Sequence, residues 1–448
     1  MAAFKEEQKT TNQDDLGTLK AAEEVLEGTS KKKWWARLLP FLGPAFIACV
    51  AYIDPGNYAT NIQGGALFGY TLIWVILASN LMAMLVQSLA AKLGIASGHN
   101  LAEMMRDHYP HWGRYVMWIV MEIVAMATDL AEFLGAALGI YLLFPGLFNR
   151  IGSLTGLPVL LVPAVLMGGL ALVVLLLEHR GFRPLEALIT ALVGIVAVCF
   201  LVETVLDRPD WGAVAFHTFV PQFRGAESIL LATGILGATV MPHVIFLHSG
   251  LTQGRIVTRD PVKLKRLFRF EQIDVIIAMS IAGLVNMAML VMAASTFYAH
   301  GLSSIGTIEE AYRTLTPLLG GAASTVFAIS LLASGHSSST VGTMAGQVIM
   351  QGFVPFKIPM WVRRLATMLP SFVVIALRLD PTHTLVLSQV VLSFGLPFAI
   401  IPLVVFTSST KIMGVLVNRK FTTIAAALVA ALIVALNIFL LIQIFSGS

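Results

Sequence analysis

Charge is scarce in this chain. Only 12% of its 448 residues are Asp, Glu, Lys or Arg, against 57% hydrophobic. That balance excludes a soluble fold of this length and defines an all-α polytopic membrane protein. Cysteine is rarer still, with Cys49 and Cys199 both inside apolar runs. Two thiols so placed exclude a disulfide framework and a thiolate metal site. No H-E-x-x-H pattern occurs, which counts against an intramembrane zinc enzyme. The net charge of +4 is spread between apolar runs, so no nucleic-acid partner is expected. The first 33 residues lack the apolar core of a signal peptide, and their Lys, Glu, Thr and Asp content predicts a disordered cytoplasmic tail.

What the chain has in quantity is apolar length. Eleven runs, from roughly 40–68 to 421–445, are each long enough to cross about 30 Å of hydrocarbon. The eighth, 317–350, outlasts a bilayer, and its last turns are expected in water. With the N-terminus inside, 24 of the 29 Lys and Arg residues fall in inside segments. Only Arg150, Arg208, Arg224, Arg313 and Arg378 fall outside. This is a strong positive-inside pattern, and the odd number of spans places the C-terminus outside. Lys31-Lys32-Lys33 followed by Trp34-Trp35 reads as a membrane interface. Outside loops without an N-x-[ST] acceptor fit a bacterial inner membrane.

The stretch Ala51-Tyr-Ile-Asp-Pro-Gly-Asn-Tyr58 interrupts the first span. Pro55 removes a backbone donor and Gly56 tolerates almost any backbone angle, so the helix should break in mid-membrane. Asp54 and Asn57 flank the break, and an acid at that depth reads as functional. The sixth span carries a matching Met241-Pro242-His243. Five spans begin at each proline, so the second five enter from the opposite side. Paired broken helices in two inverted halves point to a secondary transporter with its site at the midplane. The expected organisation is a tail over 1–38, repeats over 39–207 and 208–408, and an eleventh span over 409–448.

Each break should bare a carbonyl, because residue i+4 of Ala51 is Pro55 and that of Ala238 is Pro242. The donor set is then two carbonyls, the Asp54 carboxylate, the Asn57 amide oxygen and the Met241 thioether. Four oxygens, one soft sulfur and one negative charge suit a divalent cation softer than Mg²⁺ or Ca²⁺. Asp54-Pro-Gly-Asn57 and Met241-Pro-His243 resemble the signature motifs of the Nramp divalent-metal transporters. The likeness extends through Gly64-Gly65, Ala125-Met-Ala-Thr-Asp-Leu-Ala-Glu-Phe133, Leu251-Thr-Gln-Gly-Arg255 and Ser337-Ser-Ser339 to Gly346, and leaves only the N-terminal tail outside. The resemblance implies a LeuT-type fold and proton-coupled import of Mn²⁺ and Fe²⁺, with Cd²⁺, Co²⁺ and Zn²⁺ as further substrates and no cofactor. It implies ligation by Asp54, Asn57, Met241, Ala51 and Ala238, with Gln389 joining in some conformations.

Glu122, Asp129 and Glu132 share an arc of roughly 80° on the third span, counted at about 100° per residue. Acids at lipid depth face a cavity, a partner or each other. Arg363-Arg364 opens the ninth span and offers counter-charge. A structural ion-pair cluster explains this group, and the resemblance implies a proton route through Asp54, His243, Glu132, Asp129, Glu122 and the arginines. His248 and His336 read as packing residues, and Glu178, His179 and Glu186 as a solvated cytoplasmic face. Two other functions compete. A cation-coupled symporter of a small organic solute is disfavoured by Met241, and a non-transporting metal sensor by the shortness of the polar tail.

Overall fold

The structure is a computed structural model that describes residues 13–178, 182–302, 307–319, 321–356 and 358–446. Helices follow one another almost without interruption, and no strand occurs among the described residues. The N-terminal helix is α1 (Gln13–Glu27). The first crossing is split into α2 (Pro44–Ala51) and α3 (Pro55–Phe68), followed by α4 (Ile73–Ser97), α5 (His111–Leu143), α6 (Leu161–Glu178) and α7 (Phe182–Asp207). The second half repeats this plan. A split crossing, α8 (Gly225–Thr239) and α9 (Pro242–Thr252), leads α10 (Pro261–Thr296), α11 (Gly321–Phe353), α12 (Met360–Ala376) and α13 (Pro381–Thr407). The last crossing is α14 (Lys420–Ser446).

Among the described residues, seven helical stretches are long and apolar enough to cross a membrane. One of them, Pro55–Ser97, combines the second half of the first crossing with the second crossing. Helix α6 registers only as the shorter apolar stretch Leu161–Ala171, and α12 has 17 residues. Serines, glycines and a histidine dilute the apolar character of α11, which is nonetheless mostly buried from Ser330 onward and packs chiefly against α5. Small residues make that packing possible: a Cβ on Gly335 would lie 2.8 Å from Ala136 N, and one on Gly139 would lie 2.8 Å from Leu332 N.

Two expectations are corrected. The last turns of α11 do not project into water. Phe353 is fully buried, and a Cβ on Gly352 would meet Ala102 of the short helix Leu101–His108. That helix covers the C-terminal end of α11. The tail is also not disordered throughout, since Gln13–Glu27 is helical; Met1–Asn12 lies outside the described residues. Ala22, Val25 and Leu26 fall at helical spacing on one face and are buried with Phe41 and Leu267 in a small cluster of their own. Phe41 stacks on Phe270 at 4.3 Å, Lys263 Nζ pairs with Glu27 at 3.2 Å, and Arg266 donates to the Leu26 carbonyl. Overall polarity hid a three-residue apolar stripe.

The first half-helix, α2, is tied to the same helix, α10. Asp274 Oδ2 accepts from Gly43 N at 3.2 Å and Ala45 N at 3.0 Å, capping two of the free amides at the start of α2. Leu26→Asp should release α1 from this assembly, because full burial of a leucine is worth about 1.5–3 kcal/mol and the charge opposes it. Hydrogen exchange should then show Gln13–Glu27 unprotected while α10 keeps its protection. Persistent protection of α1 would reject the docking.

Candidate metal centre

Helix α2 ends at Ala51, and the chain then runs through Tyr52 and Ile53 to Asp54, whose extended backbone (φ −108°, ψ 166°) caps α3. Asp54 Oδ1 accepts from Asn57 N at 2.8 Å and from Asn57 Nδ2 at 2.7 Å. This is an ordinary N-cap arrangement, with Pro55 in the first turn where its missing N–H does no harm. Its second oxygen, Oδ2, is buried without a partner. At the other break Met241 takes the capping position of α9, also extended (φ −80°, ψ 121°), with Pro242 next. Asp54, Asn57, Ala51, Ala238 and Met241 are all fully buried.

The two breaks are joined by one side chain. Asn57 Nδ2 donates to the Tyr52 carbonyl at 3.1 Å and to the Ala238 carbonyl at 3.1 Å, as well as to Asp54. The Ala238 oxygen is therefore not bare, contrary to the reading from spacing. A carbonyl has two lone pairs, so one remains for a ligand. With the amide nitrogen committed, Asn57 Oδ1 is left buried and unpartnered. Gln389 of α13 completes the group. A Cβ on Gly56 would lie 1.8 Å from Gln389 Nε2, so glycine at 56 is what lets this side chain lie against the break. Gln389 Nε2 donates to Ser388 Oγ at 3.2 Å, and Gln389 Oε1 has no partner.

Three enclosed oxygens from three side chains, Asp54 Oδ2, Asn57 Oδ1 and Gln389 Oε1, thus lack donors in one region between the breaks. Buried acceptors are rarely left so. A cation satisfies all of them at once, whereas a hydrogen-bond donor satisfies one each. Among the described residues no three His, Cys, Asp or Glu side chains converge as a metal cluster. The site holds one carboxylate and otherwise neutral donors, which fits a passing ion better than a resident one.

The acidic stripe of α5 meets the arginine pair of α12. Arg364 Nη1 lies 3.3 Å from Asp129 Oδ1 and donates to Thr343 Oγ1 at 2.7 Å, while Nη2 donates to Ser339 Oγ. Arg363 pairs with Glu122 at 3.4 Å, and Trp118 Nε1 donates to the other Glu122 oxygen at 3.1 Å. Glu132 is fully buried with no close hydrogen bond beyond the neighbouring Ser338 hydroxyl, and it interacts electrostatically with Asp54 on one side and with Asp129 and Arg364 on the other. Two glycines of α11 make room. A Cβ on Gly342 would lie 2.6 Å from Glu132 Oε2, and one on Gly346 would lie 1.7 Å from Arg363 Nη2. His243 turns its Nδ1 to Thr128 Oγ1 at 3.2 Å, and its Nε2 is buried and unpartnered.

Sequence reasoning missed several polar partners. Asn286 of α10 donates to the Tyr52 carbonyl at 2.7 Å and accepts from Asn61 Nδ2 at 2.9 Å. Ser334 of α11 donates to the Ile53 carbonyl at 2.6 Å. His248 bonds Gln87 Oε1 at 2.9 Å and Glu271 Oε1 at 3.2 Å, and Gln87 Nε2 reaches the Tyr52 hydroxyl at 2.5 Å. His179 and the side chains of Glu178 and Glu186 lie outside the described residues.

Two split helices heading two inverted halves, with their freed backbone turned toward each other at the centre, define a membrane transporter of the LeuT fold. Structural similarity agrees at low identity: MhsT in complex with L-phenylalanine aligns with a TM-score of 0.54 at 16% identity, covering 88% of this chain and 98% of that one. The chain belongs to the Nramp family, since residues 45–443 match the family described as natural resistance-associated macrophage protein-like. It is 54% identical over 423 residues to the divalent metal cation transporter MntH of Deinococcus radiodurans, covering 94% of each chain. It is 50% identical to the protein of the same name in Bacillus subtilis, covering 95% of this chain and 97% of the relative. A crystal structure of a point mutant of the Eremococcus coleocola manganese transporter superposes with a TM-score of 0.82 at 33% identity, covering 93% and 90%.

Gly56→Ala places a methyl group on top of Gln389, so the two positions should act as one. Each single variant, Gly56→Ala and Gln389→Ala, is expected to weaken Mn²⁺ binding about tenfold, or about 1.4 kcal/mol. The double variant should lose no more than either alone. Calorimetric affinities that add instead would show that Gly56 does not act through Gln389.

Proposed function

We propose that this protein imports divalent transition-metal ions, Mn²⁺ and Fe²⁺ foremost, across the cell membrane with protons as the coupling ion. The observation that carries the reading is the convergence of three unpartnered buried oxygens and the Met241 position on the two helix breaks. One anionic ligand offsets part of the charge of a divalent ion, and neutral oxygens replace its water without holding it. The thioether biases the set toward Mn²⁺, Fe²⁺, Co²⁺, Zn²⁺ and Cd²⁺ over Mg²⁺ and Ca²⁺. Family membership supports the same cargo, as do the names of the relatives. The positive-inside pattern supports a cytoplasmic N-terminus and a bacterial inner membrane.

Proton movement is supported by the second polar group. Asp54, Glu132, Asp129 and Arg364 form a connected electrostatic series leading from the metal centre to α12. Glu132 makes no salt bridge and has only the Ser338 hydroxyl beside it, so it is able to hold a proton delivered when the metal takes Asp54. The Arg363–Glu122 pair continues the series toward the cytoplasmic end. His243, held by Thr128 beside Pro242, stands at the second break.

Asp54→Asn should abolish Mn²⁺ uptake into proteoliposomes together with the accompanying acidification, while the protein stays monodisperse. The amide has the shape of the acid but supplies no charge against the cost of dehydrating a divalent ion. Wild-type uptake by this variant would remove Asp54 from the site.

Met241→Ala separates affinity from selectivity. The thioether is neutral, so Mn²⁺ uptake should largely survive, Cd²⁺ uptake should fall, and Ca²⁺ or Mg²⁺ should enter once water takes the vacated place. If Met241 only fills space, all metals should fall together with thermal stability. Side-by-side uptake of Mn²⁺, Cd²⁺ and Ca²⁺ decides between the two.

A further inference from the structure

Helix α7 turns one stripe inward: Val196, Cys199, Phe200 and Glu203 are buried, and Asp207 is half-buried one turn further on. Glu203 is fully enclosed, and neither of its carboxyl oxygens has a hydrogen-bond partner. Asp207 Oδ1 accepts from Thr296 Oγ1 of α10 at 2.7 Å, and its Oδ2 is enclosed and unpartnered. Facing them from α3 is Tyr58, also fully buried. Its ring packs on Phe200 at 5.3 Å and on Phe327 of α11 at 6.0 Å. Its hydroxyl is a fourth buried oxygen of the group, with only the Ser330 hydroxyl beside it, and interacts electrostatically with Glu203.

Among the described residues no base answers these acids. Helices α2, α6, α10 and α11 pack against α7. Among the described residues, α10 offers the pair only the hydroxyls of Ser295 and Thr296. The titratable groups acting on the pair are Tyr58 from α3, Cys199 on α7 itself, and Tyr70 toward the outer surface, which also faces Asp210. Every one of them is neutral or acidic. Two buried carboxyls without a counter-charge do not both stay ionised unless a cation joins them. The enclosed donors are all oxygens: Glu203 Oε1 and Oε2, Asp207 Oδ2 and Tyr58 Oη. Such a set is hard and selects a proton or a hard metal ion, unlike the sulfur-bearing centre at the breaks.

We propose that Glu203, Asp207 and Tyr58 form a second cation-binding site in the outer half of the protein, between α7, α3 and α10, for a proton or a hard divalent cation. Tyr58 follows Asn57 by one residue, so occupancy here bears on the helix that carries Asp54 and Asn57. Binding at the two sites is therefore energetically linked.

The test uses the full-length protein in detergent and in liposomes, with Ca²⁺ and pH as the probes. With the central site disabled by Asp54→Asn, equilibrium dialysis should show one residual Ca²⁺ site that Glu203→Gln removes; this outcome assigns a metal ion. If the occupant is a proton, no residual Ca²⁺ binds. Glu203→Gln and Asp207→Asn, each in the otherwise unaltered chain, then shift the pH midpoint of Mn²⁺ binding by at least half a unit, and Tyr58→Phe shifts it in the same direction. Residual binding identical in the parent and variant, together with superimposable pH profiles, overturns the proposal. A thermal melt accompanies each variant, and Asp207→Asn decides the matter where Glu203→Gln fails to fold. Failure of the transport reading would show separately, as absent Mn²⁺ uptake by the unaltered chain.

Discussion

A helix broken inside a bilayer must have its freed carbonyls answered by protein, because no water is there to answer them. The rest of this molecule is arranged around that requirement. Tyr52 O is held by Asn57 and Asn286, Ile53 O by Ser334, and Ala238 O by Asn57. The donors come from α3, α10 and α11, so each break is braced by the helices around it. What remains unanswered after this bracing is a small set of side-chain oxygens, and these are the ones proposed to receive the metal. Site and scaffold are thus two outcomes of one accounting of hydrogen bonds.

The same logic extends sideways along α5. Buried acids there are not neutralised one for one. Asp129 and Glu122 each have an arginine, whereas Glu132 between them and Asp54 has none. An ion-pair cluster built only for stability would leave no such gap, since an unpaired buried acid costs several kcal/mol. In the proposed proton route this gap is the place where charge would be passed on, with the pairs at either side fixing the geometry. Structural and proton-carrying readings of these residues are therefore compatible.

Much of this was legible in the sequence, for definite reasons. Proline cannot sit silently in a helix, so Pro55 and Pro242 marked the breaks, and the i+4 rule led from them to Ala51 and Ala238. Asp54, Met241 and the spacing of Glu122, Asp129 and Glu132 followed from depth and helical period. The bracing was not legible. Asn286, Ser334 and Thr128 are single polar residues in long helices, and nothing in their local pattern says which carbonyl or ring they face. The Asn57–Ala238 bond spans 181 positions and depends on how two half-helices meet. Gly342 and Gly346 appeared only as parts of a motif, and their reason is the room they leave for Glu132 and Arg363. The N-terminal helix was missed because three apolar residues in a polar stretch carry too little signal by composition.

Asn57 joins the two breaks and, in the proposed reading, is also a ligand, and this limits what can stand at its position. An aspartate there would bring a second negative charge to the ion and hold it more tightly. It would also have no N–H to offer Tyr52, Asp54 or Ala238, so the two half-helices would lose the amide that joins them. A carrier gains nothing from an ion it cannot let go. The amide gives a weaker grip and a firmer joint, and turnover requires both.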